Sequence, residues 1–282
     1  MEIKKVSDCP LSEVVDVWNK GFQDYFVPVH LDSDTFLKRM EKEDLNAEHS
    51  VVLQESDELV GILLNGFRVR NGNIMAWNGG TAVVPNWRGK GVSKALMKES
   101  LSLYKKRGVK VATLEAIRQN ERAIALYKSF GYETIDELIL FDGRLRDDIE
   151  VEPLHTVSIR PELLPHLTFY DANVPWQCCW ESNKTAEAIV YYDKVHRPIG
   201  YALFQRVLDE NSIQISTVIY QLRLLVDADA QMLQSLLVLI AGETKHVSML
   251  NIFANSIESK LLQEIGIKEK MRQVWMQNVL KE

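Results

Sequence analysis

The chain has 282 residues, of which 46% are hydrophobic and 26% are charged, and its formal net charge is −6. This balance is typical of a globular protein with one or two domains, and the negative charge disfavours a nucleic-acid binder. Because the sequence has no long apolar run, no signal-like N-terminus and no metal-type cysteine spacing, we expect a cytoplasmic protein with no membrane partner and no metal.

Hydrophobic periodicity predicts the elements of the first half of the chain. In chain order these are two helices, three strands, and then helix, strand, helix and strand, at residues 11–25, 33–46, 49–56, 59–69, 74–84, 92–106, 110–117, 120–130 and 133–141. Gly79 and Gly80 inside the third strand favour a bulge or a close approach by another backbone or a ligand. The order predicts an α+β, or mixed α/β, domain over residues 1–145.

The second half has a pattern of its own. The segment 143–165 is charged and contains three prolines, so we interpret it as a linker or domain boundary. Beyond it, strand patterns at 186–193, 199–208 and 212–225 and a helical pattern at 231–243 indicate a second domain. We place this second domain at residues 146–282.

A turn between the third strand and the third helix carries two glycines and two cations, in the run VVPNWRGKGVSKALM at 83–97. The first N–H groups of a helix have no internal partner and lie at the positive end of its dipole, so phosphate binds there readily. Eight basic residues and one acid lie between Arg88 and Lys110, which favours a small anionic partner, although a solvated helix face is the commoner meaning of such a run. The turn fails the Walker pattern because glycine follows Lys90, and it fails the dinucleotide pattern because Lys94 replaces the third glycine.

The same turn resembles a family signature. Residues 88–93, RGKGVS, resemble the [QR]-x-x-G-x-[GA] motif of GCN5-related N-acetyltransferases (the GNAT superfamily), with Ser93 in place of the usual Gly or Ala. Residues 120–132, NERAIALYKSFGY, resemble the N-x-x-A-x-x-L-Y-x-x-x-G-F block of that family. The resemblance covers about residues 1–142 and implies a GNAT-like fold, in which helices flank a central, mostly antiparallel sheet.

The resemblance also implies where acetyl-coenzyme A, the family's cosubstrate, would bind. The turn would hold the pyrophosphate, the strand end would lie along the pantetheine arm, and the backbone N–H of Val83 or Val84 would polarise the thioester carbonyl. The residues concerned are Arg88, Gly89, Lys90, Gly91, Val92 and Ser93 in the turn, and Ala82, Val83 and Val84 in the strand.

Two residues of the second motif would complete the coenzyme site. By the resemblance, Asn120 would bond the pantetheine arm, and Tyr127 would lie near the sulfur and protonate the leaving thiolate as general acid. The residues by themselves leave other interpretations open. Tyr127 could belong to the core and Asn120 could be only a helix N-cap. Arg88 and Lys90 could be solvated, or Arg88 could serve the turn through its side chain.

The general base is less well defined. Relatives often use an acid on the central strands, and Glu115 is the nearby candidate because the strand at 74–84 has no acid. Glu115 could equally face solvent at a sheet edge. We expect the acceptor amine near Asp24, Tyr25, Trp77 and Asn78.

The second half resembles a degraded copy of the first. Asn255 and Gly266 are separated as Asn120 and Gly131 are, with Leu262 at the position of Tyr127. Leucine cannot donate a proton, and the segment before the second-half helix offers Asp227 and Asp229 instead of glycines and cations. Residues 146–282 therefore form a predicted degenerate GNAT-like domain, unless the match arises by chance in a helix with a C-terminal glycine.

These observations predict an N-acetyltransferase that transfers an acetyl group from acetyl-coenzyme A to an amine of a small molecule or peptide, by direct attack with Tyr127 as general acid. A catalytically weak coenzyme A-binding regulatory module is the alternative. The second domain could shape the acceptor site or mediate formation of a homodimer. The sequence leaves open the acceptor, the acyl chain length, the base and the oligomeric state.

Overall fold

The structure is a computed structural model that describes residues 1–148, 151, 153–193, 195–225 and 229–280. The chain divides into two compact units. Unit 1 comprises Met1–Ile135 and Trp275–Glu282, and unit 2 comprises Asp136–Val274. Among the described residues, no helix combines the length and apolar character needed to cross a membrane.

Unit 1 is a mixed α/β unit in which β1 to β4 form an antiparallel run and β4 pairs with β5 in parallel. Its strands are β1 (Glu2–Lys5), β2 (Val51–Glu55), β3 (Glu58–Arg70), β4 (Asn73–Val83) and β5 (Val111–Ile117). Its helices are α1 (Leu11–Gly21), α2 (Ser33–Lys42), α3 (Val92–Lys106) and α4 (Glu121–Ser129). The predicted fold class is confirmed, and β1 is a short additional strand that the sequence pattern did not reveal.

Unit 2 repeats this order of pairings. Strands β7 to β10 are antiparallel neighbours, and β10 pairs with β11 in parallel. The strands are β6 (Glu133–Arg144), β7 (His155–Ile159), β8 (Glu187–Tyr192), β9 (Pro198–Leu208), β10 (Gln214–Leu224), β11 (His246–Phe253) and β12 (Lys268–Val279), and the helices are α5 (Ala230–Ala241) and α6 (Ile257–Glu264). The predicted linker at 143–165 therefore contains strand β7.

Strands β6 and β12 each contribute residues to both units. Within unit 2, the later part of β6 pairs with β11, from Leu138–Phe253 to Arg144–His246. Within unit 1, the end of β12 lies beside β5, and Leu280 N–H donates to the carbonyl of Lys110 at 2.9 Å. The compact units therefore differ from the expected division at 145/146, because residues 136–144 pair within unit 2 and the end of the chain completes unit 1.

The core of unit 1 forms between the sheet and the helices that follow the predicted periodicity. Val14, Val15 and Trp18 of α1 are buried, as their helical spacing predicts. On α3 the buried residues include Leu96, Met97 and Tyr104. The hydroxyl of Tyr104 donates to the side-chain oxygen of Asn65 on β3, so a buried polar pair fixes this face of the helix.

Candidate active site

The pairing between the parallel strands of unit 1 ends part-way along them. Strands β4 and β5 pair only from Met75–Val111 to Trp77–Thr113, although both continue further along the chain. In the β3–β4 ladder Gly79 has no partner, because Leu64 pairs with Gly80 and the next pair joins Asn65 to Asn78. Such a bulge bends a strand and ends its pairing. The bulge that the glycines predict is confirmed, and it directly follows the last residue of β4 that pairs with β5, apart from Asn78.

The bulge requires both glycines and is held by buried polar groups. A Cβ atom on Gly79 would lie 2.6 Å from the Trp77 ring, and one on Gly80 would lie 2.6 Å from the Trp18 ring. The side chain of Asn78 accepts from Gly80 N–H at 3.0 Å and donates to Thr81 Oγ1 at 2.9 Å. Trp77 and Asn78, which the sequence suggested near the acceptor, are only 2% and 4% exposed and help to build the bulged strand.

The glycine-rich turn leaves the N-terminus of α3 uncapped by any side chain. Gly91 is the N-cap residue, with φ of +86°, and Gly89 has φ of +79°. A Cβ atom at either position would meet nothing within 4 Å, so the space above the turn is open. Since the first N–H groups of the helix have no intrahelical acceptor, they are free to bind an anion. The turn therefore fits the phosphate groups of a coenzyme.

The two cations of the turn have different surroundings. The guanidinium of Arg88 donates to three backbone carbonyls, those of Val83 at 3.1 Å, Gly21 at 3.1 Å and Gln23 at 2.9 Å. It thereby ties the end of β4 to the end of α1. The sequence had left open whether Arg88 has such a structural role through its side chain. The ammonium of Lys90 lies 4.7 Å from the centre of the Trp87 ring and is exposed.

At the end of β4, the backbone groups of Val83 face away from β3. Val84 N–H donates to the carbonyl of Val60 at 3.0 Å, so it is engaged with β3. The backbone N–H and C=O groups of successive residues in a strand point to opposite sides. Ala82, which pairs with Ile62, therefore directs its N–H and C=O toward β3, as Val84 does. The N–H and C=O of Val83 therefore point away from β3, and the carbonyl accepts from Arg88.

Tyr127 is buried on α4, where its hydroxyl meets the end of β4. Burial raises the pKa of Tyr127 to about 12, and a hydrogen bond with Thr81 lowers it in part. Burial also raises the pKa of Tyr25, which a hydrogen bond with Asn120 opposes. The side-chain oxygen of Asn120 accepts from Ala123 N–H at 3.2 Å, so Asn120 is the N-cap of α4. Thr81 was not singled out from the sequence, where it looks like any other strand threonine.

Glu115 lies on β5, two residues beyond the last β4–β5 pair. Its Oε2 accepts a hydrogen bond from the indole N–H of Trp77 at 2.8 Å. The side chain is half-buried and therefore does not simply face solvent at a sheet edge. Trp77, which the sequence suggested as an acceptor contact, instead orients this carboxylate.

Unit 2 has the same framework with different side chains at the equivalent points. The carboxylate of Asp229 caps α5 by accepting from Met232 N–H at 2.8 Å, where α3 has an uncapped glycine. Leu262 is fully buried at the position of Tyr127, and α6 is capped by Ser256 and not by Asn255. Asp227 lies outside the described residues.

Comparison with known proteins agrees with the two motifs. Residues 15–132 match the model of the Acetyltransferase (GNAT) family. This segment is a GNAT domain. The resemblance that the motifs predicted is thus confirmed. No curated protein gives a significant sequence match.

Solved structures extend the GNAT fold to both units. A GCN5-related N-acetyltransferase from Sphaerobacter thermophilus superposes with a TM-score of 0.70 at 13% identity, covering 98% of this chain and 95% of that one. A tandem GNAT protein from the clavulanic acid biosynthesis pathway gives 0.66 at 12% identity and covers 98% of both chains. A probable N-acyltransferase from Enterococcus faecalis gives 0.62 at 16% identity, over 99% and 72%. At these identities the likeness shows the fold alone.

Proposed function

We propose that unit 1 contains the active site of an N-acetyltransferase that acetylates an amine of a small molecule or peptide. Acetyl-coenzyme A would supply the acetyl group as a thioester. The observation that carries the proposal is the uncapped, glycine-lined N-terminus of α3, which follows a strand whose parallel pairing ends early and whose Thr81 contacts the buried Tyr127. Within the matched domain, these features would act as a phosphate cradle, a slot and a proton donor.

Backbone groups would do most of the binding. The N–H groups at the start of α3, around Gly91, Val92 and Ser93, would hold phosphate, while Arg88 keeps the turn in place. Of the two candidates for polarising the thioester carbonyl, Val83 is favoured because the N–H of Val84 already donates to Val60. Ala82 and Val84 then contribute the walls of the slot.

Two side chains would manage the protons. With a pKa of about 12, Tyr127 stays protonated throughout the physiological range and can donate to a leaving thiolate. Glu115, held by the indole of Trp77, is the candidate to take the proton from the attacking amine. Asn120, joined to Tyr25 by a hydrogen bond, would contact the pantetheine arm.

One observation favours the second candidate, a coenzyme A-binding regulatory module. The base candidate on β5, Glu115, is engaged by the indole N–H of Trp77, so its carboxylate has a structural role between the two strands that needs no catalysis. Unit 2 would not bind coenzyme A in either case, because Asp229 occupies the N-terminus of α5. We propose unit 2 as the degenerate copy, consistent with the predicted role of residues 146–282.

The decisive experiment measures thiol release from acetyl-coenzyme A with a panel of amines, using Tyr127→Phe and Tyr132→Phe. The two rings lie 6.1 Å apart, and among the described residues the buried hydroxyl of Tyr132 has no hydrogen-bond partner. We expect Tyr127→Phe to lower kcat by roughly a hundredfold to ten-thousandfold, with coenzyme affinity retained, while Tyr132→Phe leaves kcat unchanged. Tight coenzyme binding with no thiol release for any amine, and no effect of Tyr127→Phe, would establish the regulatory module instead.

A further inference from the structure

Unit 2 contains a cavity of about 40 Å³ at the end of its own parallel strand pair. Strands β10 and β11 pair only from Thr217–Val247 to Ile219–Met249, and a register shift follows directly in β10. In unit 1 the β4–β5 pairing likewise ends next to a register shift. The cavity is lined by residues of the separated strand ends, the start of α6 and the segment before β8. Its volume holds roughly three water molecules, so its closed part suits a small polar group and not a coenzyme.

Three polar side chains at this cavity retain unused hydrogen-bonding capacity. Asn251 is 6% exposed, and its amide makes no hydrogen bond within the described part of the chain. Arg223 has a buried Nε without a partner, and none of the described residues forms an ion pair with its guanidinium. Glu258 is 3% exposed and uses one oxygen to accept from Leu224 N–H at 2.8 Å. Buried polar groups are normally satisfied, so this combination points to a ligand.

Asn251 has an unusual position and backbone conformation for a strand residue. Counted from the last parallel pair, Asn251 is the second residue on β11, as Glu115 is on β5. Asn251 adopts a φ of +54°, and the β6–β11 register shifts between Met249 and Ile252. The side-chain amide of Asn251 therefore occupies the strand position in unit 2 that corresponds to Glu115, the candidate base, in unit 1.

The charges around the cavity define the chemistry of a ligand. Arg223 supplies a positive group, and Glu258 and Asp171 supply negative ones. Within the described residues no ion pair joins Arg223 to either carboxylate, although attraction between opposite charges is strong at low dielectric. Since a buried charge is costly without a partner, the separated charges match a molecule that carries both an ammonium and a carboxylate group.

We propose that unit 2 binds the head group of an α-amino acid, with its carboxylate on Arg223 and Asn251 and its ammonium on Glu258 and Asp171. The amino-acid side chain would extend through the open mouth of the cavity. This site is independent of the proposed acetyltransferase site, because every residue that lines it belongs to unit 2. It would give the degenerate copy a binding function of its own.

The test is calorimetric titration of the intact chain with a panel of L-amino acids, with acetate and ethylamine as probes that each lack one charge. Arg223→Gln and Glu258→Gln remove one charge each, and the glutamine at 258 can still accept from Leu224 N–H. Asn251→Gly removes the amide at a positive φ that glycine adopts readily, so folding is retained. We expect each variant to weaken binding roughly tenfold to hundredfold, as loss of a hydrogen bond to a charged group does.

Two control variants test whether loss of amino-acid binding is specific to the cavity residues. Arg206→Gln changes a unit 2 arginine on β9 that pairs with Glu187, and Tyr127→Phe changes the proposed active site. Both should bind the amino acid as the parent chain does, so failure of the acetyltransferase proposal would leave this result intact. The inference is overturned if no amino acid binds, if acetate or ethylamine binds as tightly, or if the cavity variants bind normally.

Discussion

We expect Gly91→Ala and Gly108→Ala to lower the free energy of unfolding equally, while only Gly91→Ala weakens the binding of acetyl-coenzyme A. The two glycines lie at opposite ends of α3 and have φ values of +86° and +68°. A Cβ atom at either position meets nothing within 4 Å, so neither substitution creates a clash. Both variants therefore carry only the backbone cost of a left-handed conformation.

The size of that cost follows from general values. An L-residue in the left-handed region costs about 1–2 kcal/mol, and the smaller conformational entropy of the unfolded chain returns roughly 0.4–1 kcal/mol. We expect each variant to lose about 1 kcal/mol of unfolding free energy, a shift of about 3 °C in Tm for a unit of this size. Differential scanning calorimetry of both variants measures this shift.

Coenzyme binding should distinguish the two positions. At Gly91 the new methyl group projects into the space where phosphate would approach the first N–H groups of α3, and loss of one such charged hydrogen bond weakens binding about tenfold or more. At Gly108 the methyl group lies at the far end of the helix. Isothermal titration with acetyl-coenzyme A measures both affinities. Equal weakening by the two variants, or an unchanged affinity in Gly91→Ala, would refute the assignment of this turn as the phosphate site.

Three further predictions follow from single contacts. Asn120→Ala and Asp229→Ala each remove an N-cap and should cost about 1 kcal/mol in thermal unfolding, but only the former should raise the KM for acetyl-coenzyme A. Arg88→Lys should lower stability by about 1–2 kcal/mol in urea titrations, because an ammonium cannot reach three carbonyls at once. Folded Tyr127 keeps its proton from pH 10.0 to about 12 while the unfolded chain loses it, so stability is complete below that window and falls across it. The fall is about 1.4 kcal/mol per pH unit, and a slope unchanged in Tyr127→Phe during alkaline urea titration would contradict it.

Much of unit 1 can be predicted from the sequence because its signals are local. The glycines at 79 and 80 indicate the bulge, since any larger side chain would clash with Trp77 or Trp18. The positive φ of Gly89 and Gly91 explains why these positions are glycine at a strand-to-helix turn. The periodicity of α1 identifies its buried face directly.

Other features depend on partners that are distant along the chain. Whether Arg88 faces an anion or three carbonyls is decided by where the end of α1 lies, and whether Glu115 faces solvent is decided by Trp77 on the neighbouring strand. Trp77 and Asn78, which we expected near the acceptor, are buried beside the bulge, and strand alternation does not reveal which side chains a bulge buries.

The sequence by itself determined the GNAT resemblance of the first half, the bulge at Gly79 and Gly80 and the glycine turn before α3, because these reside in short motifs whose backbone demands are local. Only the tertiary structure decided that β6 pairs with β11 and that the end of the chain completes unit 1. These assignments of β6 and β12 depend on pairing between strands that are distant along the chain, and the local sequence pattern does not indicate such pairing. In the VVPNWRGKGVSKALM turn, Arg88 ties the end of β4 to the end of α1, while the start of α3 that we propose as the phosphate site has no side-chain cap.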